Sequence, residues 1–85
     1  MTVALMSNDK ILSTLQRVFA DIFEDAEFEF SPNLVREDVK AWDSLGHIRL
    51  IAAIEEAFDI RLSIEDIDKL TSVARIAAIV AAKLA

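Results

Sequence analysis

From Ser7 onward, Ile11, Leu12, Leu15, Val18, Phe19, Ile22 and Phe23 recur at intervals of three and four residues, the period that lines apolar side chains along one side of an α-helix. Ser7 or Asn8 can cap its start, and Asp9 puts negative charge in the first turn, where the helix dipole favours it. A helix over residues 8 to 25 is predicted. The period lapses from Ala26 to Trp42, where Ser31, Pro32 and Asn33 form a turn signal. The alternation Glu27, Phe28, Glu29, Phe30 suits a strand, but there is no second strand pattern for it to pair with. An extended loop is expected instead, pinned to the core by Phe28, Phe30, Leu34, Val39 and Trp42.

A second helical pattern starts at Asp43 or Ser44 and runs to about Phe58, and it carries two apolar stripes. At about 100° per residue, Leu50, Ile51, Ile54, Ala57 and Phe58 share one sector, while Leu45, Ile48 and Ala52 fall nearly opposite. One stripe suffices for a core. The other, flanked by Arg49, Glu55 and Glu56, reads either as a partner-facing strip with a charged rim or as a face the small domain wraps. Ser63 and Asp66 imitate a capping box, opening a brief helix through Lys69. Thr71 or Ser72 then caps a last helix with Val73, Ile76, Ala77, Val80 and Leu84 on its apolar face and Lys83 near its negative end.

Composition narrows the class. The 85 residues are 54% apolar and 28% charged, with one Gly and one Pro, which leaves little material for hairpins and glycine-rich loops. The expected fold is all-α: a single domain over residues 1–85, a small bundle of three main helices plus one short helix. Nine Lys and Arg against fifteen Asp and Glu give a net charge of -6, which disfavours nucleic acid and favours basic protein surfaces. With no cysteine the chain has no disulfide or thiol nucleophile of its own, and a single histidine excludes a multi-histidine metal site. Its longest uncharged apolar run, Ile76 to Ala82, falls far short of the roughly 20 residues of a membrane span. Met1 to Met6 is apolar but lacks the basic leader and full hydrophobic region of a secretory signal. A cytoplasmic monomer is expected.

Several residues could carry chemistry. Asp43, Ser44 and His47 are the residue types of a hydrolytic triad, yet three side chains on one exposed helical turn supply neither an oxyanion hole nor a substrate pocket. Glu65, Asp66 and Asp68 lack the spacing, glycine turn and distal glutamate of a Ca²⁺ loop and read as a solvated acidic face, so no metal is assigned. Trp42 reads as a core anchor that fixes where the second helix begins, rather than as a ligand platform. There remains Ser44 at a helix N-terminus, after an acid and before an exposed leucine. Unpaired backbone N–H groups and the positive dipole end would favour a phosphodiester attached there.

The run Trp42-Asp43-Ser44-Leu45-Gly46-His47, followed by Leu50, Ile54, Glu55, Glu56 and Phe58, closely resembles the acyl carrier protein family. The similarity continues through Phe58-Asp59, Leu62 and the acidic stretch to Lys69-Leu70-Thr71-Ser72-Val73, gap-free from Trp42 to the C-terminus. The resemblance implies a right-handed helical bundle in which Ser44 is esterified with 4'-phosphopantetheine from coenzyme A by a phosphopantetheinyl transferase. The imported thiol then carries acyl groups as thioesters, in keeping with a cysteine-free chain that catalyses nothing alone. Asp43 would cap the helix and help the transferase dock. Leu45, Ile48 and Ala52 would meet partner enzymes, among them an acyl ligase or acyltransferase and a synthase, with Glu55 and Glu56 facing basic patches. Leu50, Ile54, Leu62, Leu70 and Ile76 would line a core able to take up an acyl tail, with Phe58 closing one end.

This chain departs from housekeeping fatty-acid carriers in Gly46 and His47, in Arg49 amid an otherwise acidic face, and in the small Ala52. The Gly46-His47 pair resembles discrete carriers of polyketide or other specialised pathways, Arg49 implies partners different from those of housekeeping synthesis, and Ala52 bears on partner affinity. Two alternatives stay open: an aminoacyl or peptidyl carrier of the D-alanyl type, and an unmodified helical interaction module.

Overall fold

A computed structural model of the protein describes residues 7–24 and 27–84. In order, it has α1 Asn8–Ile22, a 3₁₀ turn at Arg36–Asp38, α2 Ser44–Phe58, the short α3 Ile64–Asp68 and α4 Val73–Leu84. Three main helices and one short one are thus present, as the helical periods and the capping box at Ser63 and Asp66 predict. Extended pairing among the described residues is limited to one antiparallel bridge, Val35 to Ser72.

α1 packs against both α2 and α4. Ile11, Leu15, Val18 and Phe19 of α1, Leu50, Ile54 and Phe58 of α2, and Val73, Ile76, Ala77 and Val80 of α4 meet in one buried core. Each helix start is capped as its sequence suggests: the Ser7 hydroxyl accepts from the Lys10 N–H, and Ser72, rather than Thr71, accepts from the Arg75 N–H. The Asp59 cap that ends α2 lies in the left-handed region (φ 55°), a conformation that Asp tolerates better than most residues.

Two predicted details differ. α1 ends at Ile22 rather than 25, because Phe23 leaves helical geometry (φ -114°, ψ 41°) while its buried ring packs against Phe19, Phe28 and Trp42. Tertiary burial sets that end. Residues 25 and 26 and the apolar Met1 to Met6 segment read above lie outside the described residues. Ala57, assigned above to the core stripe, is exposed. With Ala53 it lines a groove beside Thr14, Arg17 and Val18, and its methyl is too short to close the gap to α1.

The connection between α1 and α2 is anchored rather than loose. Leu34, Val39 and Trp42 are buried in the core, and Phe28 and Phe30 pack onto it. Phe19 sits at the centre of the aromatic contacts, edge-on to Trp42 at 5.3 Å and to Phe30 at 5.5 Å. The loop also satisfies the N-terminus of α4: Leu34 O accepts from the Val73 N–H at 2.9 Å and Pro32 O from the Ala74 N–H at 3.1 Å. In the opposite direction, the Arg36 N–H donates to Thr71 O at 3.0 Å.

α3 is held differently. None of its residues is fully buried, and the apolar anchor Leu70 lies just beyond its end. Ser63 and Asp66 form the capping box, and Asp66 also pairs with Lys83 of α4 at 2.9 Å. The Lys83 ammonium and the Ser63 N–H hold the Asp66 carboxyl at about 2, below its ordinary 3.8. Because the folded-state value is depressed, this stabilisation is fully present above about pH 4 and is lost as pH falls through about 2. Protection of the α3 amides, taken relative to intrinsic exchange at each pH, should therefore fall between pH 4 and pH 2 in the natural chain. Asp66→Asn should exchange fast throughout; equal slopes for the two proteins would remove Asp66 as the cause.

Candidate functional site

The site is built at the first turn of α2. Trp42 is buried at the end of the loop, so the chain enters the helix from a fixed point. Asp43 is the N-cap: its Oδ1 accepts from the Gly46 N–H at 2.9 Å, and its backbone carbonyl accepts from the His47 N–H at 2.8 Å. Ser44 follows as the first helical residue, exposed, beside backbone N–H groups that have no intrahelical partner.

Its hydroxyl stands apart from the others. Ser7, Ser13, Thr14, Ser31, Ser63 and Ser72 each hydrogen-bond to nearby backbone through the side chain. Among the described residues only Ser44 and Thr71 have side-chain hydroxyls without such a partner, and only Ser44 is the first residue of a long helix. An anionic phosphodiester on that oxygen would lie at the positive end of the 15-residue α2. The residues present therefore fit a phosphate-linked group. Among them no cluster of His, Asp or Glu is arranged to hold a metal ion.

Gly46 supplies a feature that sequence reasoning missed. It is buried, and a Cβ built there would fall well inside contact distance of the Ala41 carbonyl oxygen and 3.1 Å from a Phe23 ring carbon. The first turn of α2 can lie on the loop backbone only because residue 46 has no side chain.

His47 also has a defined place. The Trp42 indole N–H donates to its Nδ1 at 2.9 Å, and its Nε2 lies 3.1 Å from Ile67 O in α3. Arg36 Nε donates to the Trp42 carbonyl at 2.9 Å, so the loop, the entry to α2, its first turn and α3 join in one polar chain. The predicted triad is therefore not assembled: the Asp43 carboxylate serves the Gly46 N–H, while the His47 nitrogens serve Trp42 and Ile67.

Of the residues placed on the second stripe, Leu45 and Ile48 are 64% and 63% exposed, and Ala52 is exposed as well. α2 thus turns one stripe inward and leaves the other uncovered. Arg49 lines an open cleft with Asp21, Glu24, Glu27 and Lys40 at the end of α1. Glu56 is exposed. Glu55 is half-buried and braces the loop after α2, its carboxylate accepting from the Leu62 N–H at 2.9 Å.

Residues 13–80 match the family described as phosphopantetheine attachment site, most of the chain. The chain belongs to the acyl carrier protein family. An acyl carrier protein of Rubrobacter xylanophilus is 38% identical over 69 residues, covering 80% of this chain and 84% of that protein. The solution structure of a holo acyl carrier protein from Geobacter metallireducens superposes with a TM-score of 0.77 at 31% identity, over 87% of this chain and 85% of that one. The bundle is thus the acyl carrier fold, and this carrier's cofactor is covalently attached 4'-phosphopantetheine.

Proposed function

We propose that the protein carries acyl intermediates on a phosphopantetheine arm attached to Ser44, for delivery to enzymes of a fatty-acid, polyketide or other specialised biosynthetic pathway. The observation that carries this is the spare, exposed Ser44 hydroxyl on the first residue of α2, in a chain of the carrier family. The bound group supplies the thiol that a cysteine-free chain lacks, on which acyl groups travel as thioesters.

The chain's own residues do the presenting. Asp43 caps α2 and keeps its first turn wound, which fixes the direction of the Ser44 Cα–Cβ bond. Leu45 and Ile48 flank the attachment point with uncovered apolar surface for the transferase and later partners, an acyl ligase or acyltransferase and a synthase. The Gly46-His47 pair, which resembles discrete carriers of specialised pathways, and Arg49 on the exposed face favour a dedicated partner set. Intact mass spectrometry before and after incubation with coenzyme A and a broad-specificity phosphopantetheinyl transferase tests the reading. A mass gain of one phosphopantetheinyl group is expected. No gain from a folded chain with an active transferase would favour an unmodified interaction module.

The net charge of -6 and the acids at the end of α2 lead to a second expectation. Surface charges more than about 8 Å apart are screened at 0.15 M salt, so encounter with a basic partner face slows as salt rises. The KM for modification should climb several-fold between about 0.05 and 0.5 M NaCl while kcat stays nearly constant. A KM indifferent to salt would remove Glu55 and Glu56 from the docking surface.

A further inference from the structure

We propose that His47 is a positioning residue for arm attachment: as the neutral Nε2–H tautomer it locks α3 to the turn that carries Ser44, so both reach the transferase already arranged. This rests on the carrier reading above. The tautomer follows from the partners. An indole N–H can only donate, so the Nδ1 that faces Trp42 carries no proton; a backbone carbonyl can only accept, so the Nε2 that faces Ile67 must carry one. Of the two tautomers of neutral imidazole, only this one makes both bonds.

The lock matters because α3 has little else. It buries no residue completely, and Ile64 at its start is 78% exposed. Besides the capping box, its polar ties are the Asp66–Lys83 pair to α4, the Glu55 carboxylate on the Leu62 N–H just before it, and His47 on Ile67 O. The first reaches α4 and the second the far end of α2. Among the polar ties of the described residues, only His47 joins α3 to the end of α2 that bears Ser44, three residues away in sequence.

Without that bond, α3 samples positions in which the surface around Ser44 is not the one a partner docks on. Apparent affinity falls by the fraction of molecules that remain competent, whereas turnover of the docked complex is unchanged. Both His47 ring nitrogens are engaged by Trp42 and Ile67 rather than by the serine oxygen, so its loss belongs in KM.

The sequence holds one Trp and one His, so each gives an unambiguous spectroscopic signal. Nitrogen shifts of the unmodified chain should report the Nε2–H imidazole, and the indole N–H should exchange slowly with solvent. A dominant Nδ1–H tautomer overturns the proposal. Three variants then go through transferase kinetics, each with a thermal melt as a folding control. His47→Phe removes both bonds and should raise KM about 5- to 10-fold with kcat within about twofold. His47→Gln sets an amide nitrogen near the place of Nε2 and should recover most of the KM, whereas His47→Asn retains only an acceptor for Trp42 and should resemble His47→Phe. A wild-type KM in folded His47→Phe or His47→Asn, or a change confined to kcat, overturns the proposal. Should His47→Phe fail to fold, the Gln and Asn pair decides. A wild-type chain that is never modified overturns the carrier reading, and the positioning role with it; normal modification with an unchanged KM in the variants overturns the positioning role alone.

Discussion

Ser44→Ala should abolish attachment of phosphopantetheine, leaving the intact mass unchanged after exhaustive incubation with transferase and coenzyme A. The substitution removes the oxygen that would form the phosphodiester and little else. Ser44 is exposed, its hydroxyl supports no neighbour among the described residues, and Asp43 continues to cap the helix. Alanine is well tolerated in helices, so the melt should stay within about 0.5 kcal/mol of wild type, the usual range for a surface change. Complete loss of modification with an intact fold is thus the expected pair of results. A Ser44→Ala protein that still gains the full mass would move the attachment point, with Thr71 the first place to look.

Gly46→Ala should produce the largest loss of stability among single methyl additions near the site. On propensity alone it would help, since alanine favours a helix interior over glycine by about 1 kcal/mol. Here the new methyl meets the Ala41 carbonyl oxygen, which is backbone and cannot swing away, and it crowds the buried Phe23 ring. Overpacking of this kind costs about 1–3 kcal/mol, and relief requires moving the turn that carries Ser44 or the loop that anchors Trp42. Set against the propensity gain, this leaves a net loss of about 1 kcal/mol, lowering Tm by about 4–8 °C for a domain of this size, and the remaining folded protein should be a poorer transferase substrate. If Gly46→Ala melts at or above wild type, helix propensity has won and the close approach to Ala41 is not what demands glycine.

These two residues were unequally legible. Ser44 stood out because Asp-Ser-Leu at a helix start, followed by a run that resembles carriers, is a local signal, and the spare hydroxyl adds a structural reason. Gly46 was noticed only as a departure from housekeeping carriers, because the atom it avoids lies in the loop, and nothing in a linear pattern says how closely that loop approaches. The same holds for His47. Its place beside Asp43 and Ser44 brings only a triad to mind, because the Ile67 carbonyl it faces is 20 residues further on. Helix periods locate the three main helices and the uncovered Leu45–Ile48 stripe, since those depend on i to i+4 spacing, and the capping box at Ser63 and Asp66 locates α3. They failed where packing competes with period: at Phe23, drawn out of α1 by its aromatic neighbours, and at Ala57, too small to reach the helix it faces. In sequence Glu55 is a rim charge, whereas in the fold its carboxylate also secures the Leu62 N–H, a partner visible only after the chain turns back.

The loop that caps α4 has a consequence for the order in which the molecule assembles. Its pairings, Leu34 with Val73 and Pro32 with Ala74, join residues about forty positions apart, so they carry the largest loop-closure entropy of any backbone bonds described above. Contacts of that separation tend to form after local helices and their nearest packing partners. The seating of Pro32 to Val35 on the start of α4 then belongs with the packing of α1 on α4 among the late, non-local steps of folding. A carrier caught before that step would keep its helices but lack the fixed point from which Trp42 leads into α2, so its serine would be present and unaimed.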